Sequence, residues 1–107
     1  MIIKLEGFPI YPDKIEKAQD WMRFLKHNQD AVNRTLVSEH MESEQIFSVT
    51  VQKTLYLVWY SQQSQIAQPV ENSDNPVDVK HVKFWRECVD ESQPPLKFKL
   101  QNSFFSK

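Results

Sequence analysis

Residues 54–60 read TLYLVWY, a run of β-branched, leucine and aromatic side chains with no charge. Successive side chains of a strand point to opposite faces, so Leu55, Leu57 and Trp59 share one face and Tyr56, Val58 and Tyr60 the other. Both faces are apolar or aromatic, as suits a strand covered on both sides. The segment is therefore predicted to lie inside a sheet whose two faces are both occupied.

Just upstream, MESEQIFSVTVQ alternates, with Met41, Phe47, Val49 and Val51 on one face and Glu42, Glu44, Ile46, Ser48 and Thr50 on the other. Gln52-Lys53 is predicted as a tight hairpin turn joining the two strands, without the Asn-Gly or Asp-Gly pair common there. Further back, Ile2 to Ile10 reads as a first strand, with Ile3, Leu5 and Gly7 on one face and Ile2, Lys4, Glu6 and Phe8 on the other. Pro9 and Pro12 end it. Pro12-Asp13 opens a helix whose stripe is Ile15, Ala18, Met22 and Leu25, widened by Trp21 and Phe24. The pattern loosens at His27-Asn28, where a kink is expected, and Ala31, Val32 and Leu36 carry a second helical piece to about Val37.

Downstream, Ser61 to Asp74 is polar and reads as a long loop, a position from which it could close over a cleft. Asn75-Pro76-Val77-Asp78 has the chemistry of a helix start. Val82, Trp85 and Val89 follow as a stripe flanked by Val77, His81, Phe84 and Cys88, and Pro94-Pro95 is expected to stop the helix. LKFKLQ then alternates as an edge strand over residues 96–101, with Leu96, Phe98 and Leu100 inward. No internal repeat or low-complexity segment occurs.

The order strand, helix, strand-hairpin-strand, helix, strand is the ferredoxin-like α+β plan, βαββαβ with a four-stranded antiparallel sheet, as one domain over residues 1–107. Two helices cover one sheet face. Tyr56, Val58, Tyr60, Ile46 and Phe8 are expected on the other, where they would form a large exposed apolar patch. A second copy packed sheet to sheet about a two-fold axis is the economical cover, so a homodimer through the open sheet face is expected.

The remaining composition mostly excludes. A formal net charge of −1 gives no pull toward nucleic acid or membrane, and Lys97, Lys99 and Lys107 make too small a patch for a nucleic-acid footprint. One cysteine, Cys88, permits no intrachain disulfide. With one glycine, Gly7, phosphate loops of the P-loop or Rossmann kind are out. The start MIIKLEGF lacks the pattern of a signal peptide, and no apolar run approaches membrane-spanning length, so a cytoplasmic protein is expected.

Several blocks carry a resemblance: Trp21 through Leu25, Glu39-x-Met41-x-x-Glu44-x-Ile46-Phe47, Tyr56-Leu57-x-Trp59-Tyr60-Ser61, and His81-x-x-Phe84-Trp85-Arg86-Glu87-Cys88-x-Asp90. Together they resemble a family of small bacterial proteins of unknown function, similar in fold to the dimeric α/β-barrel proteins. Those include cofactor-free monooxygenases, small isomerases, stress-response dimers and haem-degrading enzymes. The resemblance implies the fold and the dimer and brings no established activity. The family's hairpin turn usually contains glycine, where this chain has Gln52-Lys53.

Among candidate site residues His81 comes first, facing the sheet or the rim of a cleft, where an imidazole could act as acid or base near neutral pH. The alternative is a half-buried structural histidine. A dyad with Cys88 is excluded, since seven residues of helix separate them by ~10 Å. Glu44 and Tyr60, opposite one another across the hairpin in one register and on the face away from the helices, could orient a polar ligand; a one-residue slip would part them. His40, Glu42 and Glu44 alternate as metal ligands can, but an acidic strand end is more often simply solvated, and no metal or cofactor is expected. Trp21, Trp59 and Trp85 with Phe24, Phe47 and Phe84 form an aromatic set that is either core or the wall of a pocket. Cys88 reads as a small buried hydrophobe.

The ligand-binding candidates are thus Glu44, Trp59, Tyr60, His81 and Trp85, with His81 the catalytic candidate. Three functions remain open: a small-molecule binding dimer, a cofactor-free oxygenase or isomerase on an aromatic or carbonyl compound, and a purely structural dimer. A cleft of about 300 Å³ or more with His81 on its wall favours the first two.

Overall fold

A computed structural model of the chain describes residues 1–64 and 73–106. Its described strands, β1 (Ile2–Pro9), β2 (Met41–Val51), β3 (Thr54–Gln63) and β4 (Leu96–Lys97), form an open antiparallel sheet in the order β2-β3-β1-β4. The described helices are α1 (Ile15–His27), α2 (Gln29–Ser38) and α3 (Pro76–Cys88), with a short 3-10 turn over Pro12–Lys14 leading into α1. The protein is therefore α+β, and no described helix is long and apolar enough to cross a membrane.

β3 lies inside the sheet, paired along its length with β1 and with β2. The hairpin closes on Gln52 and Lys53, whose φ values of 49° and 70° are both left-handed. Two such residues make the turn whose twist matches that of the strands it joins. Here they do so without glycine, in a conformation that costs each side chain about 1–2 kcal/mol. The pairing that follows sets Val51 opposite Thr54 and Trp59 opposite Ile46.

The helices cover the sheet face that carries Leu55, Leu57 and Trp59. Trp21 of α1, fully buried, packs on Trp59 with ring centroids 5.5 Å apart and stacks on Phe84 of α3 at 6.2 Å. Phe8 meets Trp85 at 4.6 Å and Trp59 at 5.9 Å. Phe8 and Ile46 thus lie on the helix side, packed against the core, and not on the open face expected for them. The open face is built from Ile3 and Leu5, from Phe47, Val49 and Val51, and from Tyr56, Val58 and Tyr60, as the pairings Gly7 to Val58, Phe47 to Val58 and Val49 to Tyr56 require. Phe47, 58% exposed, is accordingly no part of the inner aromatic set. Gly7 is closely covered on that face: a Cβ there would meet the Leu96 Cβ at 3.1 Å and Val58 at 3.3 Å, so a larger residue would require β4 or the Val58 side chain to give way.

The break between α1 and α2 falls at Asn28. Its φ of −118° leaves the helix, its backbone N–H is shared by the Phe24 and Leu25 carbonyls, and its Nδ2 donates to the Phe24 carbonyl at 2.8 Å. The side chain caps one helix while its own carbonyl accepts from Val32 to start the next. At α3 the Asn75 Oδ1 accepts from the Val77 N–H at 3.0 Å, with Pro76 in the first turn.

α3 ends at Cys88, before Pro94-Pro95. Val89 is extended and bridges Ile10, Tyr11 N–H donates to the Cys88 carbonyl, and Asp90 N–H donates to the Pro9 carbonyl. Asp90 then closes a turn, its carboxylate accepting from the Ser92 hydroxyl, the Gln93 side-chain amide and the Ser92 N–H. The Ser92 hydroxyl leads in holding this carboxyl below the usual range.

Two further differences concern strand ends. β3 runs on through Ser61, Gln62 and Gln63, which had read as loop, because β1 and β2 both extend far enough to pair with them. Residues 65–72 of that loop, and with them the idea that it closes a cleft, lie outside the described residues. β4, in contrast, is two residues long and not six. Lys97 stands opposite Glu6, but continuing that register would set Lys99 opposite Lys4, a like-charge pair that weakens a ladder. Phe98 and Leu100 follow unpaired at 48% and 60% exposed, and Phe104 and Phe105 at 87% and 80%.

Candidate functional site

Between the helix-side face of the sheet and the facing sides of α2 and α3 lies a cleft of about 700 Å³. Ser61 and Gln63 from the end of β3 and Glu44 from β2 form part of its sheet side. Thr35, Leu36 and Glu39 contribute from α2 and its C-terminal cap, and Asp78, His81 and Trp85 from α3. It exists because the aromatic core fills only the Leu57 end of the sandwich. Toward the Gln63 end the side chains on the sheet turn small and polar.

Among the described residues one hydrogen bond fixes His81. The Trp21 Nε1–H donates to His81 Nδ1 at 3.0 Å, and an indole nitrogen can only donate. Nδ1 is therefore the unprotonated nitrogen, and the ring proton sits on Nε2. Burial lowers the imidazole pKa, against a smaller opposing effect of Asp78. His81 is a neutral imidazole that offers the cleft a donor. Its lone-pair nitrogen already has a partner, so it is badly placed to take a proton.

Two of the acids around it, Glu39 and Glu44, are perturbed in the other direction. Burial, with the like charges of Asp78 and Glu44, raises Glu39 to about 7, against a hydrogen bond from Thr35 that favours its charged form. Burial alone raises Glu44. Asp78 is only 6% exposed, and no hydrogen bond or ion pair reaches its carboxylate among the described residues. Gln63 is buried as well, at 2% exposed. Its Nε2 donates to the Ser61 hydroxyl at 3.0 Å, while its Oε1 has no partner among the described residues. A buried acceptor left unpaired costs about 1–3 kcal/mol, which a donating ligand or water would offset.

Trp59 and Trp85, 5.4 Å apart, give the cleft an aromatic wall, and the Trp85 Nε1–H donates to Glu91 at 3.3 Å. Of the residues singled out from the sequence, Glu44, Trp59, His81 and Trp85 come together around this space. Tyr60 does not. Glu44 stands opposite Ser61, and Tyr60 opposite Gln45, so the slip that would part the pair is the register found. Tyr60 is on the open face, its hydroxyl accepting from Gln62 Nε2 at 2.8 Å. Glu44 instead faces the helices.

Glu39, Asp78 and Gln63 were missed. In the sequence Glu39 belongs to a block that carries the family resemblance, Asp78 to a helix start, and Gln63 to the polar stretch after TLYLVWY. The one signal in the chain was Ser61 and Gln63 continuing the alternation of TLYLVWY.

Among the described residues no three His, Cys, Asp or Glu side chains stand as a group able to hold a metal ion. The bulge between Met41 and Ser43 interrupts the alternation that would have put His40, Glu42 and Glu44 on one face. Cys88 is fully buried and its thiol pKa is pushed up, burial being the main cause. That is the environment of an inert thiol.

The sequence model of a family of unknown function, DUF6176, matches residues 1–105. No curated protein and no solved structure matches the chain.

Proposed function

We propose, from the premise that the chain belongs to this family of unknown function, that it is a small-molecule binding protein working as a homodimer. The observation that carries the reading is the cleft of about 700 Å³ with His81, Trp59 and Trp85 on its walls. A space of that size, part aromatic and part polar, is what small-ligand sites are made of. The Gln63 carbonyl supports it, being a buried polar group without a hydrogen-bond partner among the described residues.

The strand order β2-β3-β1-β4 with helices on one face supports a ferredoxin-like domain. Its open face carries Phe47, Val49 and Val51 at 58, 40 and 39% exposed beside Tyr56, Val58 and Tyr60. Sheet-to-sheet packing of a second copy, giving a dimeric α/β barrel, would bury that patch.

A second reading, a cofactor-free isomerase or oxygenase, has one observation in its favour: a carboxyl with a pKa of about 7 beside the cleft is suited to general acid–base work at neutral pH. In that reading Glu39 moves the proton and the neutral His81 only polarises the substrate.

Native mass spectrometry of the protein purified gently from its own host tests the proposal. A dimer carrying a discrete extra mass per subunit is expected. A bare monomer would overturn both halves of it.

A further inference from the structure

The cleft is acidic where it is most enclosed. Glu39, Glu44 and Asp78 border it from three elements, and no lysine or arginine of the described residues pairs with any of them. The ion pairs found join Lys17 to Glu87 and Arg23 to Asp20, both away from the cleft. Lys4 and Arg86, its two cations, are exposed side chains. Turning three carboxylates toward one half-dry space is unfavourable unless they stay protonated or meet a positive charge.

Gln63 adds an independent observation. At 2% exposed it lies on the cleft side of β3, two residues from Ser61 and so diagonal to Glu44, and its Oε1 has no donor. The unmet groups of the cleft are thus nearly all acceptors: three carboxylates and an amide carbonyl. What they lack is a ligand rich in N–H bonds and positively charged. A bare metal ion fits poorly, because the carboxylates are not gathered into a ligating group. The aromatic wall of Trp59 and Trp85 favours an organic body instead, and a cation beside such rings gains further.

We propose that the cleft binds an organic cation, its ammonium group held among Glu39, Glu44 and Asp78 with Gln63 Oε1 accepting one N–H, and its apolar or aromatic body against Trp59 and Trp85. This rests on the small-molecule reading above and deepens it. The ammonium favours ionised carboxyls, so binding near pH 7 expels a proton from the half-titrated Glu39.

Three probes of one shape and different charge separate the claims: 2-phenylethylamine, 2-phenylethanol and phenylacetate, titrated calorimetrically into the intact protein. The amine is expected to bind at least ~10-fold more tightly than the other two, a gap of about 1.4 kcal/mol. Repeating the titration in buffers of different ionisation enthalpy should register a net release of protons on amine binding near pH 7. Glu39→Gln and Asp78→Asn should each weaken the amine by roughly that factor and so narrow its advantage over 2-phenylethanol. Alcohol or carboxylate binding as tightly as the amine would overturn the cation proposal and leave the cleft reading standing. Failure of all three to bind would overturn both. If a variant does not fold, the charge series on the wild-type protein still decides.

Discussion

Replacing Glu39 by glutamine should make the protein more stable at neutral and alkaline pH. In the folded chain the Glu39 carboxyl ionises near 7, against 4.5 for the unperturbed group. The unfolded chain therefore gives up this proton from about pH 4.5 upward, while the folded chain holds it until about 7. Across that window the native state binds more protons than the unfolded one, so this group's contribution to stability falls as pH rises and the loss is complete above about 7. A displacement of this size corresponds to about 3 kcal/mol; Glu39 is only half-buried, and solvent screening reduces the figure to roughly 1–2 kcal/mol. Glutamine keeps the shape of the protonated acid and cannot ionise. Urea denaturation of the two proteins between pH 4.5 and 8 measures the difference, which cancels the titrations they share, including Glu44 with the same sign and His81 with the opposite one. The gap should be near zero at pH 4.5 and grow to roughly 1–2 kcal/mol in favour of glutamine at pH 8. A gap that stays flat, or a variant less stable at pH 8, would refute the reasoning.

If the proposed dimer forms through the open face, the wild type should sediment as a dimer and Val58→Lys, in the middle of that face, should shift it toward monomer; a variant that dimerises as well as the wild type would place the interface elsewhere. Asn75→Ala removes the acceptor of the Val77 N–H and should cost about 1 kcal/mol in denaturant unfolding, a loss of nothing meaning that Pro76 alone starts α3. Cys88, fully buried with a raised thiol pKa, should react with a thiol reagent only as fast as the chain unfolds, and prompt labelling in native buffer would contradict its burial.

Much of the fold was legible because TLYLVWY is apolar on both faces and the helix stripes around Trp21 and Trp85 are clear. Which face of β1 and β2 the helices cover was not. Each of those strands has apolar residues on both sides, Ile3 and Leu5 against Phe8, Phe47 and Val49 against Ile46. Period-2 patterning cannot rank them; the decision falls to tertiary packing, where Phe8 joins Trp59 and Trp85. The Glu44 and Tyr60 pairing failed by one residue, since a turn on Gln52-Lys53 makes Val51 and Thr54 partners and carries Glu44 to Ser61. Ser61 to Gln63 looked like loop for the reason that makes it interesting: the strand turns polar where it faces the cleft. That continuing β4 would bring Lys99 opposite Lys4 is visible only once the register is known.

Preferring a binding role over acid–base work by His81 turns on the direction of one hydrogen bond, from Trp21 to His81 Nδ1. Nitrogen NMR of the imidazole, recorded from pH 5 to 8 on the wild type and on Trp21→Phe, reads that direction. In the wild type Nδ1 should be unprotonated and Nε2 protonated, with a titration below the ordinary histidine range set mainly by burial, and Trp21→Phe should release the tautomer that the indole N–H fixes. A proton on Nδ1, or a wild-type histidine titrating at or above its usual value, would contradict this assignment and return His81 to the list of proton-transfer groups.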